Sequence, residues 1–152
     1  MQVFLPYPSF IASSIVLDPR RRHKQILENA QIIRAATEPG APWANHCVTR
    51  AWAPYTDALA EYTIILTGAD PYHTANIDAW WFDYYPFHRG HRGHLYRKDP
   101  VFYVRFAEDK DFPLLYPTMT EGVFAERVDL GRFRRWGQPG ARIVRRVQDV
   151  LK

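Results

Sequence analysis

A chain of 152 residues with 47% hydrophobic content and a net charge of +4 is long enough for one domain with its own core and too apolar for disorder. Its single cysteine, Cys47, excludes an internal disulfide and suits a reducing compartment, and no apolar run reaches the ~18 residues of a membrane span. The opening Met-Gln-Val-Phe-Leu-Pro-Tyr-Pro lacks the basic start and apolar stretch of a signal peptide, so a soluble cytoplasmic protein is expected.

Twelve prolines divide the chain into short elements. Val3 to Leu5 begins extended, held so by Pro6 and Pro8. Ser9 can cap a short helix through Leu17. Asp18 as N-cap and Pro19 at the first helical position then open a long helix to about Thr37. At about 100° per residue, Arg20, Arg21, Lys24, Glu28 and Gln31 share one stripe, expected to face solvent, while Ile26, Ala30 and Ile33 fall opposite. Glu38-Pro-Gly-Ala-Pro breaks the helix. Asn45 can cap a helix carrying His46, Arg50 and Trp52, with a break before Pro54. From Pro54 to Leu66, Tyr55, Leu59, Tyr62 and Leu66 form a core-facing stripe that Gly68 ends.

Residues 69–86 are an aromatic insert, read either as a short helix or as a packed loop, with packing the expected use of Trp80, Trp81, Tyr84 and Tyr85. Phe87 to Lys98 reads as a basic helix despite Gly90 and Gly93, and Val101 to Tyr116 reads as a strand by propensity. Pro117 to Gly122 is a turn region, and Gln138 to Leu151 a basic amphipathic helix. The fold expected is mainly α. It is one domain over 1–152, with a core at 1–116 and a C-terminal extension at 117–152.

Charged helix faces are usually plain solvated surface, and the constellations here are weighed against that. His88, His91 and His94 step round a helix by about 60° each and converge poorly on one ion, so no metal is expected. The same run, with Arg89, Arg92, Arg97 and Lys98, suits a phosphate-gripping surface that Gly90 and Gly93 would let a nucleic-acid backbone approach. No serine nucleophile elbow and no Gly-rich phosphate loop is present.

Four stretches together resemble the pyrimidine-dimer DNA glycosylase/AP lyase superfamily, the phage endonuclease V type, and more closely an uncharacterised bacterial and phage branch of it. They are Phe4-Leu5-Pro6-Tyr7-Pro8, Leu17 through Ile32, Asn45-His46 with Trp52, and Phe87 through Pro100. The resemblance implies a compact helical bundle that binds duplex DNA, without a cofactor and as a monomer, in a bacterial or phage-infected cell. It implies an N-terminal amine that forms a Schiff base at C1′ and a helical glutamate, here Glu28, that assists. Gln2 is too bulky for removal of the preceding Met to be expected, so the amine falls to Met1, with Gln2 as the adjoining position. The resemblance puts Arg21 and Lys24 on the phosphates. Arg20, Arg22, His23, Gln31, His46, Arg50, His88, Arg89, His91, Arg92, Arg97 and Lys98 complete the expected DNA-binding set.

That chemistry is reasonable on its own terms. An α-amine ordinarily titrates near ~7.7–8 and lysine near ~10.4, so only the former is substantially nucleophilic at neutral pH. Glu28, close in sequence to Arg21 and Lys24, is expected to stay ionised, to stabilise a cationic imine and to accept the C2′ proton. Two other readings remain open. One is a nucleic-acid-binding protein that keeps the fold without the chemistry, and the other an enzyme acting on a modified base or nucleotide.

Overall fold

The computed structural model describes residues 1–70, 77–118, 121–127 and 142–146, and beyond residue 118 it describes the side chains of 121, 122 and 124 alone. Five α-helices dominate: α1 (Phe10–Val16), α2 (Pro19–Thr37), α3 (Cys47–Trp52), α4 (Thr56–Thr67) and α5 (Tyr85–Lys98). Short 3-10 helices cover Ala53–Tyr55 and Val104–Asp109. A small antiparallel sheet follows, β1 (Leu115–Pro117), β2 (Val123–Arg127) and β3 (Arg142–Arg146), in that spatial order. The architecture is mainly helical, and no described helix is long and apolar enough to cross a membrane.

Local signals account for most of these elements. Ser9 caps α1 by accepting the Ala12 N–H at 3.2 Å, and Asp18 caps α2 by accepting that of Arg21 at 3.0 Å. α3 begins one residue later than a cap at Asn45 would have it. His46 is its N-cap, with Nδ1 accepting the Val48 N–H at 3.2 Å. Pro54 turns the chain through the 3-10 segment into α4, whose buried Leu59, Tyr62, Ile65 and Leu66 face the core. Gly68, at φ 73°, ends α4 in the left-handed region.

The aromatic residues do pack. Phe10 stacks on Tyr62 at 4.6 Å between ring centres, and Trp81 sits within 5.2 Å of both Trp52 and Phe87. Residues 77–84 form a packed loop, and 71–76 lie outside the described residues. Tyr85 is exposed at the start of α5, and Trp43 is half exposed with a left-handed φ of 72°.

Three expectations need correction. Val101 to Phe106 is not a strand. Asp99 accepts the Phe102 N–H at 3.0 Å in a side-chain-closed turn, Tyr103 and Phe106 are drawn into the core, and only 115–117 pair as β. The C-terminal basic helix is replaced over 142–146 by β3, where adjacent β-branched Ile143 and Val144 pair opposite Glu126 and Ala125 of β2. The rest of 138–151 lies outside the described residues. On α2 the buried residues are Gln25, Glu28, Asn29, Ile32 and Ala35, so Ala30 is exposed and Ile26 and Ile33 only half buried. Glu28 thus belongs to the edge of the buried face, not to a solvent stripe.

Candidate active site

Polar residues sit at the centre of that buried face because they hold main chain. Gln25 accepts the Phe4 N–H at 2.7 Å through Oε1, and its Nε2 donates to the Gln2 carbonyl at 3.2 Å and to Asn29 Oδ1 at 2.7 Å. Asn29 in turn donates to Thr63 Oγ1 on α4 at 3.1 Å. From the other side, the Tyr62 hydroxyl donates to the Phe4 carbonyl at 2.9 Å. His88 places Nδ1 2.8 Å from the Leu5 carbonyl oxygen and Nε2 2.5 Å from that of Phe82. Arg92 donates to the Pro6 carbonyl at 3.1 Å. An extended segment inside a helical protein has no ladder of its own, and these side chains from α2, α4 and α5 supply its partners.

The clamp fixes where the chain begins. The Met1 amine lies 3.9 Å from Glu28 Oε1, and Lys24 Nζ lies 3.8 Å from the same oxygen, one helical turn away. Burial is the largest influence on the Glu28 carboxyl and raises its proton affinity above the ordinary carboxylate value. The Met1 amine, Lys24, the Gln2 main chain and Lys98 pull in the opposite direction without overcoming it. Its second oxygen, Oε2, is buried with no hydrogen-bond partner. The site therefore holds an amine beside a carboxylate that binds a proton more readily than in water. Sequence proximity to Arg21 suggested the reverse. Arg21 instead donates to Asp18 at 2.7 Å, approaches Asp99 at 3.9 Å and lies over the Tyr103 ring.

Residues 1–68 match the family model for pyrimidine dimer DNA glycosylase. The match covers the N-terminal part of the 152-residue chain. No curated protein and no solved structure gives a significant match. The matched region contains the amine, the carboxylate, Lys24 and the whole of the Gln25–Asn29 clamp, whereas α5 lies outside it.

Of the other expected site residues, Arg20, His23, Gln31 and Arg50 are exposed, and so is Lys98 at the end of α5. Arg22 is half buried and donates to the Ser14 carbonyl at 2.7 Å, which ties α2 to α1. His46 serves as the helix cap described above. The expectation fails for the middle of α5. His88, His91, Arg92 and His94 are buried and face no solvent, so they form no phosphate-gripping surface. Arg92 and Arg89 each reach an oxygen of Asp109 at 2.6 Å, and Arg97 donates to the Lys110 and Phe112 carbonyls at 2.6 and 3.1 Å. The glycines admit protein, not nucleic acid. A Cβ on Gly90 would stand 2.3 Å from the Pro113 carbonyl oxygen, and one on Gly93 2.1 Å from that of Asp109.

Gln25, Asn29 and Tyr62 are the contributors that a reading by residue class overlooks. Their signal is spacing: Gln25, Glu28, Asn29 and Ile32 recur at i, i+3, i+4 and i+7, a core-facing pattern written mostly in amides.

Proposed function

We propose that this chain is a DNA glycosylase/AP lyase for damaged pyrimidines in duplex DNA, with the Met1 amine as nucleophile and Glu28 as the assisting carboxylate. The observation that carries the proposal is the approach of the Met1 amine to a buried, proton-attracting Glu28, behind a segment clamped from three helices. The match of residues 1–68 to the family model supports the substrate class, and the exposed Arg20, His23, Lys24, Arg50 and Lys98 suit a polyanion.

At an abasic site the amine adds to the C1′ aldehyde and water leaves, giving a protonated imine. At a damaged pyrimidine the amine displaces the base, which departs with the glycosidic electron pair and a proton, and opening of the sugar ring gives the same imine. The Glu28 carboxylate stabilises that cation and takes the C2′ proton. The freed electron pair forms the C2′–C3′ double bond as the 3′-phosphate leaves with the C3′–O pair. Water then hydrolyses the imine and restores the amine. Burial helps here, since a carboxyl with raised proton affinity is the stronger base for the C2′ proton.

Borohydride trapping on duplex DNA containing one abasic site tests this. The expected result is a covalent adduct mapped to Met1, with β-elimination by Glu28→Gln slower by about 10²-fold or more and DNA binding kept. Binding without an adduct would replace the proposal by a non-catalytic DNA-binding protein. β-Elimination unaffected by Glu28→Gln would remove Glu28 from the mechanism.

A further inference from the structure

The turn after α5 is built like a tool held outward. Val101 is 87% exposed, Val104 67% and Phe102 43%, so three apolar side chains in four consecutive residues stand in water. Solvent-facing apolar residues are ordinary when scattered, but grouped on a rigid support they mark a contact surface. The support here is rigid. Asp99 closes the turn through the Phe102 and Tyr103 N–H groups, both at 3.0 Å. Tyr103 is fully buried, with its hydroxyl donating to Asp18 Oδ2 at 2.5 Å and accepting the Asp18 N–H at 3.0 Å.

The position of the turn points to its partner. It is locked to the first turn of α2 through Asp18, and Asp99 approaches Arg21 there. Arg21 and Glu28 are seven residues apart on one helix, about 10 Å along the axis, which is the span of roughly three base steps. Lys98, immediately before the turn, is near enough to act on the Glu28 carboxyl. Exposed cations flank the apolar group: Arg20 beside Arg21, Lys98 before the turn and Arg105 after it. Asp99, which Arg21 lies against, and the exposed Glu108 are opposing charges.

Resting on the reading of duplex DNA as substrate, we propose that Val101, Phe102 and Val104 form an apolar wedge that enters the base stack within a few steps of the sugar held at Met1 and Glu28. The flanking cations hold the phosphates on either side. Apolar side chains inserted between base steps unstack and kink a duplex, which opens the helix beside the reacting nucleotide.

The test uses a duplex with a tetrahydrofuran abasic analogue, which cannot form the imine, and 2-aminopurine within three nucleotides of it. Wild-type protein and the apolar variant Val101→Leu/Phe102→Leu should both raise 2-aminopurine fluorescence several-fold at saturation. Val101→Ser/Phe102→Ser should lose that rise while its Kd for undamaged duplex changes by no more than about twofold, since the phosphate contacts are intact. An equal rise in the Ser variant, no rise with wild type, or no DNA binding would each overturn the wedge. Borohydride trapping of the same proteins separates the two proposals. A Met1 adduct without a fluorescence rise sinks the wedge alone. A rise abolished by the Ser pair without any adduct keeps the wedge and sinks the lyase.

Discussion

The helices α2 and α5 carry similar basic runs, Arg20-Arg21-Arg22-His23-Lys24 and His88-Arg89-Gly-His91-Arg92-Gly-His94, and the fold treats them oppositely. On α2, Arg20, His23 and Lys24 remain in water, and Lys24 approaches the buried Glu28 carboxylate. On α5, three histidines and Arg92 go inside. The difference lies in what the rest of the chain offers. α5 meets Asp109 and the carbonyls of Leu5, Pro6 and Phe82, and its two glycines let the backbone of residues 109–115 close over it. On α2, Asp99 approaches Arg21 at 3.9 Å, while Arg20, His23 and Lys24 stay wet. Arg92 goes inside to meet Asp109, whereas His91 is buried against the Phe87 ring with neither ring nitrogen hydrogen-bonded, and only the surface cations are available to phosphate.

The sharpest way to break this comparison is to remove the acceptor on α5. Asp109→Asn leaves Arg92 buried without a counter-charge, and the expected cost is about 3–5 kcal/mol in urea unfolding. A loss under about 1 kcal/mol would mean that Arg92 is not held as an internal ion pair. Gly93→Ala comes next. Alanine favours a helix over glycine by about 1 kcal/mol, but here its Cβ would meet the Asp109 carbonyl oxygen at 2.1 Å. Backbone must move, so a net loss of about 1–3 kcal/mol is expected from the same measurement. A stabilised alanine variant would refute the close approach.

Much of α2 was legible in its residues, and the buried side of it was not. Asp18 and Pro19 announce the start of the helix, and the charge pattern brings Lys24 and Glu28 together. The apolar residues Ile26, Ala30 and Ile33 then misplace the core, because amides had taken the central positions in order to hold residues 2–4. That demand originates in an extended segment distant in sequence, and no local periodicity encodes it. The fate of α5 was hidden for the same reason. Asp109 lies 17 residues beyond Arg92, inside a stretch whose Val-Phe-Tyr-Val content reads as a strand until Asp99 closes a turn. The caps Ser9 and Asp18 lie within a few residues of the helices they open and were readable. Long-range satisfaction of polar groups was not.

The surface half of the comparison is sharpened by salt. Lys24→Ala removes an exposed cation beside Glu28 and should lower the slope of log Kd against log salt for duplex DNA by about 1. Arg97→Ala should leave the slope unchanged, because that guanidinium is committed to the Lys110 and Phe112 carbonyls. Equal changes in both would restore α5 to the DNA-binding face.

The smallest effect comes from making the same change, carboxylate to amide, at Glu28 as at Asp109, two of the buried carboxylates. Asp109 is matched by two guanidiniums, so its loss costs stability. Glu28 is held where burial outweighs its cationic neighbours, and its folded proton affinity exceeds the unfolded one. Below the unfolded value of 4.5 the carboxyl is protonated in both states, and the full stability contribution is present. As pH rises through the higher folded value, the folded state must carry a disfavoured charge and that contribution is lost. Glu28→Gln does not titrate, so its thermal midpoint relative to wild type should be higher at pH 7 than at pH 4. The gain should be smaller than the losses on α5, and it should accompany the slower β-elimination. A midpoint difference that falls with pH would mean that the Met1 amine and Lys24 outweigh burial and that the carboxylate stabilises the fold. Glu28 would then resemble Asp109, a structural ion held by its partners, and the case for a proton acceptor poised at the amine would lose its physical basis.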